Sequence, residues 1–202
     1  MTEKTFERKE EVLEAALDEF AANPYEAASL NTIIKNAGIS KGTFYYHFAD
    51  KQALYLYLLE HAADAKMDFL LQRMGDAPGQ AGDIFEMIKW QAGLGVEFAA
   101  AHPRLEALSR MLLKEKGKPI YDAAMALLGR GAEAMLAEMI DEAVRKGDFR
   151  EAYPREFIVK TVGFLLANLD HIVYGDGDLT LDEMHRNLGY FMDFLKSGLG
   201  KQ

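Results

Sequence analysis

Cysteine is absent from the chain, which excludes a disulfide framework and cysteine-ligated zinc or iron–sulfur, and suits a reducing compartment. No apolar run reaches the roughly 20 residues that a membrane helix needs. The start of the chain, MTEKTFERKE, is charged and unlike a signal peptide, so a cytoplasmic protein with no membrane partner is expected. Positive charge is scarce as well. Lys and Arg number 23 against 32 Asp and Glu, a net charge of −9, so the surface as a whole repels a polyanion and any nucleic-acid contact has to be local.

Signs of reaction chemistry are equally thin. No serine sits in a nucleophile elbow, no glycine loop fits a phosphate cradle, and His61, His102, His171 and His185 lack metal-ligand spacing. Neither catalytic group, metal nor cofactor is expected. From Tyr174, the run YGDGDLTLDEM sets Asp176, Asp178, Thr180 and Asp182 at alternate positions like a calcium loop. It lacks the glycine at the bend, however, and Asn187 stands where a bidentate glutamate belongs. Thr180 with Glu183 reads better as a capping box opening a last helix.

What the chain does have is helical periodicity, with half of its 202 residues apolar and no strand signal. The most informative stretch is SLNTIIKNAGISKGTFYYHFADK, residues 29 to 51. Leu30, Ile33, Ile34 and Ala37 form one face of a short helix capped by Ser29, and Gly38 stops it in the left-handed conformation that glycine adopts at little cost. Ile39 plugs the turn. Ser40 caps a second short helix from Lys41 to about Phe48, and Phe44 and Phe48, four apart, anchor it inward. A helix, a glycine turn and a second helix make a helix-turn-helix.

Its outward residues suit DNA. Lys41 brings charge, Gly42 lets the backbone approach, Thr43 can touch a base edge, and Tyr45, Tyr46 and His47 can bond phosphates. Ser29, Asn31 and Thr32 open the first helix, whose N–H groups can receive a phosphate. Lys51 stands at the start of the next helix, capped by Asp50, where a cation calls for a nearby anion that DNA would supply. Three lysines face a single aspartate across the stretch, a net +2 in an acidic protein. Ser29, Asn31, Thr32, Ser40, Lys41, Gly42, Thr43, Tyr45, Tyr46, His47 and Lys51 are therefore the expected DNA contacts. Lys4, Arg8 and Lys9 can also reach a phosphate, but they alternate with glutamates and read better as a solvated, self-paired face.

Elsewhere the spacing predicts helices over about 6–22 and 51–74, then from Ile84 through Phe98. A helix follows Pro103, one long helix spans Pro119 to Lys146 with Gly129 and Gly131 as weak points, and two more run over about 154–174 and 181–199. Phe157, Val162, Phe164, Leu165, Leu166, Leu169 and Ile172 cover more than one side of the first of these last two. Leu188, Tyr190, Phe191, Phe194 and Leu195 nearly do so on the second, as in helices with a second partner. Pairing with a twofold-related copy as a four-helix bundle is expected, a larger internal core being the alternative. Trp90, Leu94, Phe98, Met111, Tyr121 and Met125, with the polar Glu97, Asn168, Asp170 and His171 among apolar neighbours, read either as core or as the wall of a pocket for a small apolar or amphipathic molecule.

AGISKGTFYYHFADKQAL, residues 37 to 54, resembles the signature of the tetracycline-repressor (TetR) family of bacterial transcriptional regulators. The resemblance rests on the alanine-glycine turn, the serine cap, the aromatic pair, the His-Phe and the lysine that opens the next helix. It implies an all-α fold, with a three-helix DNA-binding domain over residues 1–50 and a larger helical domain over 51–202 that binds ligand and dimerises through about 154–199. It implies that the helix from Lys51 links the two parts. The expected protein is a homodimeric repressor that leaves a palindromic operator on double-stranded DNA when a small molecule binds. The rivals are a helical enzyme or carrier whose hairpin is structural, and a regulator with no effector.

Overall fold

A computed structural model of the chain describes residues 8–73, 82–129, 132–169, 171 and 179–201. Among them the structure is helical. The elements are α1 (Lys9–Ala22), α2 (Leu30–Asn36), α3 (Lys41–His47), α4 (Lys51–Arg73), α5 (Ile84–Ala101), α6 (Pro103–Lys114), α7 (Pro119–Leu128), α8 (Ala132–Lys146), α9 (Arg155–Ala167) and α10 (Leu181–Leu199). Phe149 and Gly200 form an isolated antiparallel bridge, and no strand is found among the described residues. The chain divides into two compact units, one from residues 1–67 and 101–128, the other from 68–100 and 129–202.

The first unit is built on α1. Its Val12, Leu13, Ala16, Leu17 and Phe20 repeat at three- and four-residue intervals, and all are buried in one core with Ile33 and Ile34 of α2, Phe44 of α3 and Leu54, Tyr55, Leu58 and Leu59 of α4. Leu108 and Leu112 of α6 and Ile120 and Ala124 of α7 complete that core. Phe20 meets Tyr55 edge-on at 4.7 Å between ring centres, and Tyr25 lies 5.0 Å from Tyr55. At the surface Arg104 of α6 reaches back to α1, donating to Glu14 at 2.5 Å and Asp18 at 2.6 Å. Being exposed, these ion pairs add at most about 1 kcal/mol each; burial of the apolar face holds the helices together.

The second unit has its own core. Ile84, Phe85 and Ile88 of α5, Ile140 and Ala143 of α8, Ile158 and Val162 of α9, and Leu188, Phe191, Met192 and Leu195 of α10 are buried in it. The chain end is tied in by Arg150, whose guanidinium donates to the carbonyls of Ser197 and Gly200, and by Asp148, which accepts the Ile84 N–H at 3.0 Å. Thr180 and Glu183 form the expected capping box of α10.

Two helices differ from the sequence reading. The helix expected from Pro119 to Lys146 is two, α7 and α8, with Gly129 in a turn after α7. Glycine costs about 1 kcal/mol in a helix interior, and the halves serve different cores: Ile120 and Ala124 the first, Ile140 and Ala143 the second. The helix expected over 154–174 closes at Asn168, whose side-chain amide donates to the Phe164 carbonyl at 2.7 Å. Beyond it Leu169 and His171 are again helical, and the end of that expectation, from Ile172 on, lies outside the described residues. So do Lys4, Asp170, Gly131, Tyr174, Asp176 and Asp178.

Candidate nucleic-acid interface

The α2–α3 hairpin is set by three short-range devices. Ser29 accepts the Thr32 N–H at 3.2 Å and caps α2. At the other end Gly38 has φ +65, Gly38 N–H bonds the Lys35 carbonyl at 3.1 Å, and Ile39 N–H bonds the Ile34 carbonyl at 3.2 Å. These are the paired bonds of a Schellman ending. A side chain at Gly38 would be strained by that φ and would place its Cβ 2.8 Å from Arg8. Ser40 then accepts the Thr43 N–H at 3.0 Å and caps α3, its hydroxyl also paired with the Thr43 hydroxyl at 2.9 Å.

Phe44 is fully buried, and Phe48 at the C-cap stacks beside it. With that anchor in place, Lys41, Gly42 and Thr43 are exposed, Tyr45 is 57 % exposed, Tyr46 is 59 % exposed, and His47 is half-buried. On α2, Asn31 is exposed and Thr32 half-buried. The structure thus brings most of the expected contacts onto α2, α3 and the turn between them, while the hydroxyls of Ser29 and Ser40 serve first as caps.

Lys51 has partners of its own within the chain. Its ammonium donates to the carbonyls of Tyr25 at 2.7 Å, Ala28 at 3.1 Å and Glu26 at 3.3 Å, and lies 4.5 Å from the centre of the Tyr25 ring. An ammonium has three N–H donors, and three carbonyls take them. In place of an anion the α1–α2 loop supplies three backbone carbonyl dipoles, so contact with a phosphate would require breaking one of these bonds. A misplaced cation at a helix N-terminus costs up to about 1 kcal/mol, less than charge-assisted hydrogen bonds return at about 1.5–3 kcal/mol each. Lys51→Met keeps the stem and removes all three, and is expected to lower stability by about 2–3 kcal/mol, read as a lower urea midpoint. An unchanged midpoint would rule out the clasp.

Arg8 reaches beyond its own helix. Besides facing Glu11 at 4.0 Å, it donates to the Gly38 carbonyl at 2.7 Å, and so joins the start of α1 to the turn of the hairpin.

The residues expected to line a ligand pocket are divided between the units. In the second unit, Leu94 and Phe98 of α5 are buried, Trp90 is half-buried, and Glu97 is exposed 3.7 Å from Arg73. Phe98 meets Phe69 edge-on at 5.4 Å, and Arg73 lies over the Phe69 ring. Asn168 is half-buried and His171 exposed in the same unit. Met111, Tyr121 and Met125 belong to the first unit, where Tyr121 packs on its core and Met125 is 36 % exposed. Among the described residues no three His, Asp or Glu side chains group as a metal site.

Residues 12–58, which hold this hairpin and its supports, match the model of the family described as bacterial regulatory proteins, tetR family. The HTH-type transcriptional regulator YerO of Bacillus subtilis is 26 % identical over 149 residues, covering 66 % of this chain and 51 % of YerO. IcaR of Staphylococcus epidermidis, the HTH-type negative transcriptional regulator of the biofilm operon icaADBC, is 29 % identical over 121 residues, 56 % of this chain and 65 % of IcaR. The chain thus spans about half of YerO and somewhat under two thirds of IcaR. In fold, a TetR family transcriptional regulator from Chloroflexus aurantiacus superposes with a TM-score of 0.70 at 24 % identity, over 98 % of this chain and 96 % of that one. Residues 12–58 thus carry the sequence pattern of the tetR family of bacterial regulatory proteins, and the chain shares its fold with a transcriptional regulator of that family.

Proposed function

We propose that the chain is a DNA-binding transcriptional regulator that acts as a homodimer in the cytoplasm, represses by occupying a palindromic operator, and is released by a small apolar or amphipathic molecule. The observation that carries the reading is the division of α3: Phe44 is sunk into the core while Tyr45 and Tyr46, its neighbours, stand more than half exposed beside Lys41, Gly42 and Thr43. Two adjacent large aromatics held at the surface on a rigid, capped helix suit insertion into a groove.

A twofold partner follows from the second unit. Phe157 and Phe164, seven apart on α9, are 47 % and 69 % exposed, and Tyr190 and Phe194, four apart on α10, are 67 % and 69 % exposed. Such a patch favours a second copy, which would present two α3 helices to half-sites one or more duplex turns apart. For the effector, the aromatic face of α5 with Phe69, Arg73 and Glu97 combines an apolar wall with charge, as an amphipathic ligand requires. Its binding would have to favour a conformation in which the two α3 helices no longer match the operator.

The test is selection of duplexes from a random pool, followed by affinity of the selected palindrome across a salt series. Log affinity should fall steeply with log salt, as contacts to several phosphates require. Tyr45→Ala should weaken binding by about 1–3 kcal/mol with helicity unchanged. Failure to enrich any duplex at low salt would end the reading.

A further inference from the structure

The geometry points to Glu115 as a positioning residue for the DNA-binding helices: from the turn between α6 and α7, it holds the loop that leads into α2. The inference rests on the DNA-binding reading above and adds a control point to it.

Glu115 is placed where a carboxylate has two reasons not to be. It is the C-cap of α6, the negative end of the helix dipole, and its side chain is 1 % exposed, alone among the charged residues described. An ion pair does not explain that placement, because Lys118, whose ammonium donates to Glu115 Oε2 at 2.6 Å, is half-exposed and could meet the carboxylate at the surface. What burial adds is the other bond. The backbone N–H of Tyr25, 90 positions earlier, donates to Glu115 Oε1 at 3.0 Å. The Lys118 bond holds the carboxyl below its usual range, and the Tyr25 bond lowers it further against the cost of burial. Beside it the Tyr55 phenol is pushed far up, chiefly by burial and then by the Glu115 charge.

Tyr25 sits at a junction. Its carbonyl receives Lys51 from the start of α4, and four residues on, the Ser29 N–H donates to Glu19 of α1 at 2.7 Å. Ser29 is itself the cap of α2. Residues 25–29 are thus held from α1, from α4 and, through Glu115, from the α6–α7 turn. Glu19 and Lys51 lie within the matched residues 12–58, whereas Glu115 lies outside them. Movement of the α6–α7 turn would pull on Tyr25, and through it on the cap of α2, without touching either DNA-facing helix.

Two conservative variants separate position from charge. Glu115→Asp keeps the charge but withdraws the oxygen from Tyr25, whereas Glu115→Gln loses the charge but keeps an oxygen that can accept the Tyr25 N–H. Each is compared with the parent chain for hydrogen exchange at the Tyr25 amide, affinity for the selected palindromic duplex, and urea midpoint. Glu115→Asp should exchange faster at Tyr25 and bind DNA about tenfold more weakly, the equivalent of one hydrogen bond, under conditions where it is fully folded. Glu115→Gln should stay within about twofold of the parent on both counts. The reverse order would assign the effect to charge and overturn the inference. So would unchanged exchange and affinity in Glu115→Asp, or losses that merely track the urea midpoint. A parent chain that binds no duplex overturns the DNA-binding reading instead, and the exchange at Tyr25 still shows whether Glu115 holds the loop.

Discussion

Phe44→Ala is expected to destabilise the first unit by about 3–5 kcal/mol and to abolish operator binding with it. The ring is fully buried at the centre of α3, 5.6 Å from Phe48 and 5.2 Å from Tyr45. Truncation leaves a cavity that a helix of 7 residues cannot collapse into without losing its seat against α1 and α2. Domains of this size are stable by only about 5–15 kcal/mol, so the loss takes up a large share of what holds the hairpin. Tyr45→Ala, one residue away on the exposed side, should stay within about 0.5 kcal/mol of the parent in stability while losing affinity. Urea unfolding followed by far-UV circular dichroism separates the two variants. Equal midpoints for Phe44→Ala and the parent would mean that α3 is not anchored by this ring, and the exposure of its two tyrosines would lose its explanation.

The hairpin was legible in the sequence because its determinants are local. Ser29, Gly38 and Ser40 each act on N–H or carbonyl groups within five residues, and neighbouring residue types suffice to predict a cap or a left-handed turn. The same holds for Thr180 and Glu183 at the start of α10. What was not legible depends on partners distant in the chain. Lys51 looks like a free cation until Tyr25, 26 positions earlier, is brought beside it. Glu115 stands between Lys114 and Lys116 with nothing nearby in the chain to signal burial, and its Oε1 meets a backbone N–H 90 positions away. Apolar spacing likewise cannot tell a pocket wall from a core: Tyr121, expected beside Trp90 in a pocket, packs on the first unit's core. The break between α7 and α8 was visible as a weakness at Gly129; which core each half would join was not.

A large effect on function should also come from a residue far from α3 in the sequence. Phe194→Glu is expected to make the protein monomeric at micromolar concentration and to weaken operator binding by at least about 100-fold, because a monomer can engage only one half-site. Phe164, Tyr190 and Phe194 each leave about two thirds of their surface exposed. If a twofold partner covered on the order of 100 Å² on each ring, the six rings would contribute roughly 15 kcal/mol of gross hydrophobic gain. Association itself costs about 4–15 kcal/mol, so the net affinity depends on keeping every ring in contact. A carboxylate in place of Phe194 removes one ring from each copy and sets a charge against the apolar patch, at a desolvation cost of several kcal/mol. Because Phe194 is exposed, while Phe191 and Leu195 beside it form the internal core, the fold of the subunit should survive. Light scattering with the urea midpoint as control reads the outcome. A parent chain that is itself monomeric, or a Phe194→Glu protein that remains dimeric and binds the palindrome with parental affinity, would show that this face is not the dimer contact and that the half-sites must be read in some other arrangement.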